Sequence, residues 1–280
     1  MDHEIQQERA GLLGGLSSDT NEYRYPGLDG AKAIISREYD RFLDEHKSPH
    51  IVFTHTPQSE VDIIDSERLG RTDYHSSLQT LVITMPSLPH EEASRLFCGL
   101  VVLKAQSMGV RRLISFRGST TTKAREREKQ ADESWGPRQR RGQPGKWPTI
   151  ALEVAFSESQ EKVKADMSWW LYRSNGAVLK AISIDIKRTS GNVYITLWER
   201  GAIPSRQHPQ PEPRVVGEMR IYRGRDGRPT RVEGADLTIP FHDMLLRAPD
   251  TDWGEGDFIF TKEELLELAE DVWDDMEQLA

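Results

Sequence analysis

The chain has 280 residues, 37 Lys and Arg against 45 Asp and Glu, 36% hydrophobic residues and one cysteine, Cys98. A lone thiol excludes a disulfide scaffold and a zinc centre built on several cysteines. No apolar run approaches the roughly 20 residues needed to cross a bilayer. With its polar start, MDHEIQQERA, the sequence reads as cytoplasmic or nuclear, and neither a signal peptide nor a membrane partner is expected. The net charge of −8 is uneven. Residues 250–280 hold twelve acids and one lysine, whereas residues 111–147 hold eleven Lys and Arg against four acids. A basic stretch of this kind suits a polyanion, nucleic acid first; a solvated loop is the plainer alternative.

Residues 1–28 lack periodicity and read as a flexible arm. From Asp29, the recurrence of Ala33, Ile34, Tyr39 and Phe42 or Leu43 predicts a helix to about Lys47, followed by short strands at residues 50–53 and 81–85. A second helix is expected from Pro89, with Leu96, Leu100 and Leu103 facing inward and Gly109 as its stop. A strand at 112–116 leads into KAREREKQADESWGP and a loop rich in Gly, Pro and Arg. The clearest strand is PTIALEVAFS, residues 148–157, in which Ile150, Leu152, Val154 and Phe156 alternate onto one face. Val163, Met167, Trp170 and Leu171 then mark a helix over 159–174, with Trp169 and Trp170 read as packing residues. Strands at 178–186 and 192–198 flank the tight turn RTSGN. Beyond a Pro-rich linker, 201–214, strands are expected at 215–222 and 235–239 around the turn-rich RGRDGRPTR. Thr261 and Glu264 form a capping box that opens a final helix with the stripe Leu265, Leu268, Val272, Met276 and Leu279.

Within the most apolar strand sits Glu153, flanked on its own face by Ala151 and Ala155. Small neighbours leave room beside the carboxylate for a hydrated metal or a substrate oxygen; a water-facing sheet surface is the alternative. Asp132 ends the preceding predicted strand, and two carboxylates on adjacent strands offer the hard oxygen ligands that Mg²⁺ takes together with water.

Asp132-Glu-Ser-Trp-Gly-Pro137, Pro148-Thr-Ile-Ala-Leu-Glu-Val-Ala-Phe-Ser157 and Asp166 with Trp169, Trp170 and Leu171, in the order helix, strand, strand, strand, helix, strand, strand, resemble the PD-(D/E)XK nuclease superfamily. The likeness is nearest to its fungal nuclease-like group and covers about residues 81–200. It implies an α/β (α+β) class with a restriction-endonuclease-like mixed sheet core flanked by helices and carrying N- and C-terminal extensions. The expected divisions are an arm at 1–28, packing elements at 29–86, the core at 87–200, the linker at 201–214 and a C-terminal part at 215–280.

The resemblance further implies metal-dependent phosphodiester hydrolysis with Mg²⁺ or Mn²⁺ on Asp132 and Glu153. The third acid would be Glu91 by resemblance, whereas helical phase favours Glu92. The signature lysine two residues after the Glu is Ala155 here; Lys162 or Lys164 on the next helix could serve, although Lys162 also suits a surface ion pair with Asp166. Arg125, Arg127, Lys129, Arg138, Arg140 and Arg141 are the candidate phosphate contacts, and Trp135 and Trp147 are candidate base-stacking platforms. The competing reading is a catalytically degenerate nuclease fold that binds nucleic acid or protein. A homodimer and a protein partner taken through the acidic C-terminal helix are the assemblies left open.

Overall fold

In the computed structural model the described residues are 2–139, 147–201, 212–225 and 227–278. Helices and strands are mixed throughout, as the α+β class requires. The chain forms two compact units: one from residues 1–87, 119–131 and 157–165, the other from 88–118, 132–156 and 166–280. Neither unit is one uninterrupted segment, because residues 119–131 and 157–165 belong to the first.

The first unit contains α1 (Asp2–Leu13), β1 (Asn21–Arg24), α2 (Leu28–Asp44), β2 (His50–Thr54), α3 (Gln58–Glu67), β3 (Arg71–His75), β4 (Thr80–Thr84), β6 (Thr121–Lys123) and β7 (Arg127–Gln130). Its six-stranded sheet runs β1-β2-β4-β3-β7-β6. The flexible arm is corrected here. Leu12 of α1 is buried in a cluster with Val52 and Val82, and β1 pairs in parallel with β2. The inward face of α2 is also corrected, to Ala31, Ile35, Glu38 and Phe42.

Glu38 is what ties β1 down. Its carboxylate accepts hydrogen bonds from Asn21 Nδ2 (2.8 Å), Tyr23 Oη (2.7 Å) and Arg41 Nη1 (2.6 Å). Burial opposes the charged form, but these donors outweigh it and hold Glu38 below its ordinary carboxylate value of 4.5. A lowered folded-state value contributes stability above about pH 4.5 that is lost as acid protonates the group. Glu38→Ala is expected to cost about 1.5–3 kcal/mol at pH 7 and less at pH 3. Urea unfolding at the two pH values checks this; an equal cost at both would refute it.

Gly15 is conformationally required. It has φ +77°, and a Cβ there would lie 2.2 Å from the Lys162 backbone nitrogen. Close approach at this point lets Ser159 Oγ donate to the Gly15 carbonyl at 2.6 Å, which brings residues 157–165 into the first unit.

The second unit contains α4 (Leu88–Ser107), β5 (Ile114–Phe116), β8 (Glu133–Pro137), β9 (Ile150–Phe156), α5 (Gln160–Arg173, from residue 166 on), β10 (Lys180–Ile186), β11 (Val193–Arg200), β12 (Pro213–Tyr222), β13 (Arg231–Gly234), β14 (Leu237–Ile239), α6 (Phe241–Leu245), β15 (Phe258–Phe260) and α7 (Lys262–Glu277). Its main sheet runs β13-β12-β11-β10-β9-β8-β5, with β9 and β10 parallel and the other pairs antiparallel. A parallel pair needs a crossover, and α5 is that connection.

Ile150, Leu152, Val154 and Phe156 are all buried as expected, and the capping box at Thr261 is formed. The α4 stripe is corrected. Ala93, Phe97, Val101 and Ala105 are buried, whereas Leu103 is 63% exposed. The strand β13 occupies the end of the segment expected to be turn. Most of the Pro-rich linker and Leu279 lie outside the described residues. No helix among the described residues is long and apolar enough to cross a membrane.

Candidate active site

The strand β9 is covered on both sides: Ala151 and Ala155, on the face of Glu153, are as buried as the aliphatic residues opposite. Glu153, between them, is the one partly exposed residue of the strand. The antiparallel register pairs Glu133 with Leu152 and Ser134 with Ala151, but the Asp132 amide departs from it by donating to the Leu152 carbonyl at 3.1 Å. Asp132 and Glu133 thus both face Leu152, as at a β-bulge, and Asp132 is not a register partner of Glu153. The two acids picked out in the sequence lie on neighbouring chain segments, Asp132 just before β8 and Glu153 within β9.

Each acid is oriented by a group that sequence periodicity does not reveal. Trp170 Nε1 donates to Glu153 Oε1 at 2.5 Å, so this tryptophan packs and also fixes the carboxylate. The Val154 amide donates to Asp132 Oδ2 at 2.7 Å, and His90 Nε2 lies 3.3 Å from the same oxygen. His90 is buried near the start of α4. Burial alone would favour the neutral imidazole, but the Asp132 carboxylate, with Glu91 behind it, outweighs that cost and pushes His90 up to about 10. A histidine beside a helix-opening proline gives no warning of such a partner.

The remaining candidates disperse. The Glu91 carboxylate lies 3.7 Å from His90 Nδ1, and Glu92 pairs with Arg95. Among the described residues no three His, Cys, Asp or Glu side chains form a group able to hold a metal ion, so Glu91 does not complete a three-ligand centre with Asp132 and Glu153. Lys164 is exposed. Lys162 is buried in the first unit, where its charge acts on Asp73.

Of the six basic candidates, Arg127 and Lys129 are corrected as phosphate contacts. Arg127 chelates Asp73 through Nε (2.7 Å) and Nη2 (2.6 Å), while buried Lys129 approaches the same carboxylate at 3.8 Å. Arg125 and Arg138 are exposed, and Arg140 and Arg141 lie outside the described residues. Trp135 is fully buried, and Trp147 is half-buried with its ring 5.2 Å from that of Trp169. Burial removes Trp135 as a stacking platform.

No family model matches the sequence. No curated protein matches it either, so the resemblance to the fungal group finds no counterpart there. One solved structure, a "putative nuclease belonging to DUF820" from Anabaena variabilis, is similar at 13% identity and a TM-score of 0.38, over 71% of this chain and 90% of that one. A likeness of this size decides neither the fold nor the reaction.

The donor chemistry of these two carboxylates fits a hard divalent cation, since Mg²⁺ keeps several waters and needs only one or two carboxylates. Asp132 and Glu153 would hold it.

Proposed function

We propose that the chain is a nuclease-like protein that hydrolyses phosphodiester bonds in DNA or RNA with a divalent metal. The observation that supports this reading is that Asp132, whose carboxylate accepts from the Val154 amide, and Glu153 occupy neighbouring segments within the order α4, β5, β8, β9, α5, β10. A bound Mg²⁺ or Mn²⁺ would supply a water of lowered pKa and neutralise charge on the scissile phosphate. The residues of the chain have separate tasks. Trp170 aims Glu153, the Val154 amide aims Asp132, and His90 places a cation against Asp132 inside a buried setting.

A second reading, a nucleic-acid-binding or protein-interaction module without catalysis, is favoured by one feature. Position 155 carries a methyl group where the signature has an ammonium, and a methyl neither orients water nor offsets developing charge. Labelled single- and double-stranded DNA and RNA, incubated with Mg²⁺, Mn²⁺ or a chelator, separate the two. Wild type is expected to cleave only with metal, and Glu153→Gln, which retains an acceptor for Trp170, is expected to fall to background while still binding. Binding without cleavage by wild type favours the module; cleavage by Glu153→Gln at the wild-type rate refutes the site.

A further inference from the structure

The face that carries Glu153 continues into β10. In the parallel register Ser183 stands beside Glu153 and Asp185 beside Ala155. Register partners on neighbouring parallel strands point to the same side of the sheet, and the strands lie about 4.8 Å apart. Asp185 is therefore one pleat along from Glu153, next to the small side chain of Ala155.

Asp185 is built unlike a surface acid. Its side chain is 9% exposed, its Oδ2 lies 2.7 Å from Lys187 Nζ, and its buried Oδ1 has no hydrogen-bond partner. Burial raises the Asp185 carboxyl, and the Lys187 ammonium draws it back. Lys187, two residues on and so on the same face, is 28% exposed. It is anchored at one side and open at the other. Ser183, two residues before Asp185 in the strand, is occupied by Trp198 Nε1, which donates to its hydroxyl at 2.8 Å. Lys187 lies just beyond the end of β10, and its contact with Asp185 draws the ammonium toward the position of Ala155.

We propose that Lys187, positioned by Asp185, contacts the phosphate of a nucleic acid beside Glu153 and fills the role left open by Ala155. The inference rests on the nuclease-like reading above and names a further residue of that site. A compact ammonium on a flexible four-carbon stem can serve a phosphate as a point charge.

Four proteins test it: wild type, K187M, D185N/K187M and A155K/K187M. Each is assayed for single-turnover cleavage of a labelled oligonucleotide with Mg²⁺, for binding of the same oligonucleotide in chelator across a salt series, and for thermal unfolding. K187M leaves a buried carboxylate uncompensated, so the double variant without either charge guards against misfolding. Both variants are expected to lose about 100-fold or more in cleavage rate and to lower the salt slope of binding by about one, with A155K recovering part of the rate. If wild type binds without cleaving, a reduced salt slope in D185N/K187M still supports the Lys187 contact although catalysis fails. A folded D185N/K187M that cleaves and binds like wild type overturns the inference and leaves the nuclease reading intact. Wild type that neither cleaves nor binds overturns both.

Discussion

Asp73→Ala is expected to destabilise the first unit by about 3–5 kcal/mol, because removing one partner of a buried ion cluster strands the others. Asp73 lies in β3 opposite Lys129 of β7, with Arg127 chelating its carboxylate and Lys162 acting on it electrostatically. Burial would raise this acid, but Arg127 first, then Lys129 and Lys162, hold it below its ordinary value of 3.8. A lowered folded-state value means stability that is present above about pH 3.8 and lost below it. The cost of the substitution should therefore shrink in acid. All seven tryptophans belong to the second unit, so the effect has to be followed by circular dichroism or tyrosine fluorescence. A loss below about 1 kcal/mol, the scale of an exposed pair, would show that water already screens the cluster.

Phe97→Ala in α4 is expected to cost about 3–5 kcal/mol in the second unit. The ring is fully buried, stacked on Phe260 at 4.8 Å and tilted against Trp135 at 6.2 Å. Its truncation opens a cavity where the helix meets both β15 and the main sheet. Leu103→Ala, on the exposed side of the same helix, is expected to stay within about 0.5 kcal/mol. Tryptophan fluorescence during urea unfolding reads both, and equal costs for the two would contradict the assigned face.

The contrast between Phe97 and Leu103 shows what was legible in the sequence. Strict alternation exposed β9, and local capping chemistry exposed the start of α7, since both are decided by near neighbours. Choosing which of several apolar residues faces inward on α4 needed its packing partners. The strand β7, Arg127–Gln130, is almost entirely charged or polar, so binary patterning treats it as loop. Its pairing with β3 and the internal neutralisation of its cations by Asp73 make it a strand.

The candidate site divides in the same way. Asp132 and Glu153 stand out because acids interrupt or end apolar strands. Trp170 and His90 act through contacts that appear only after folding, and Asp185 gains significance only from the register that sets it beside Ala155.

The interleaving of the two units along the chain also limits how the protein can be dissected. Neither is encoded by an unbroken stretch: the first unit is not fully specified until residue 165 has been synthesised, and the second draws on segments as far apart as residues 88 and 280. Cutting at residue 87 would leave the N-terminal piece without β6, β7 and the partners of Asp73. Fragment expression is therefore expected to yield material that aggregates or is degraded, and the smallest unit suited to biochemistry is the intact polypeptide.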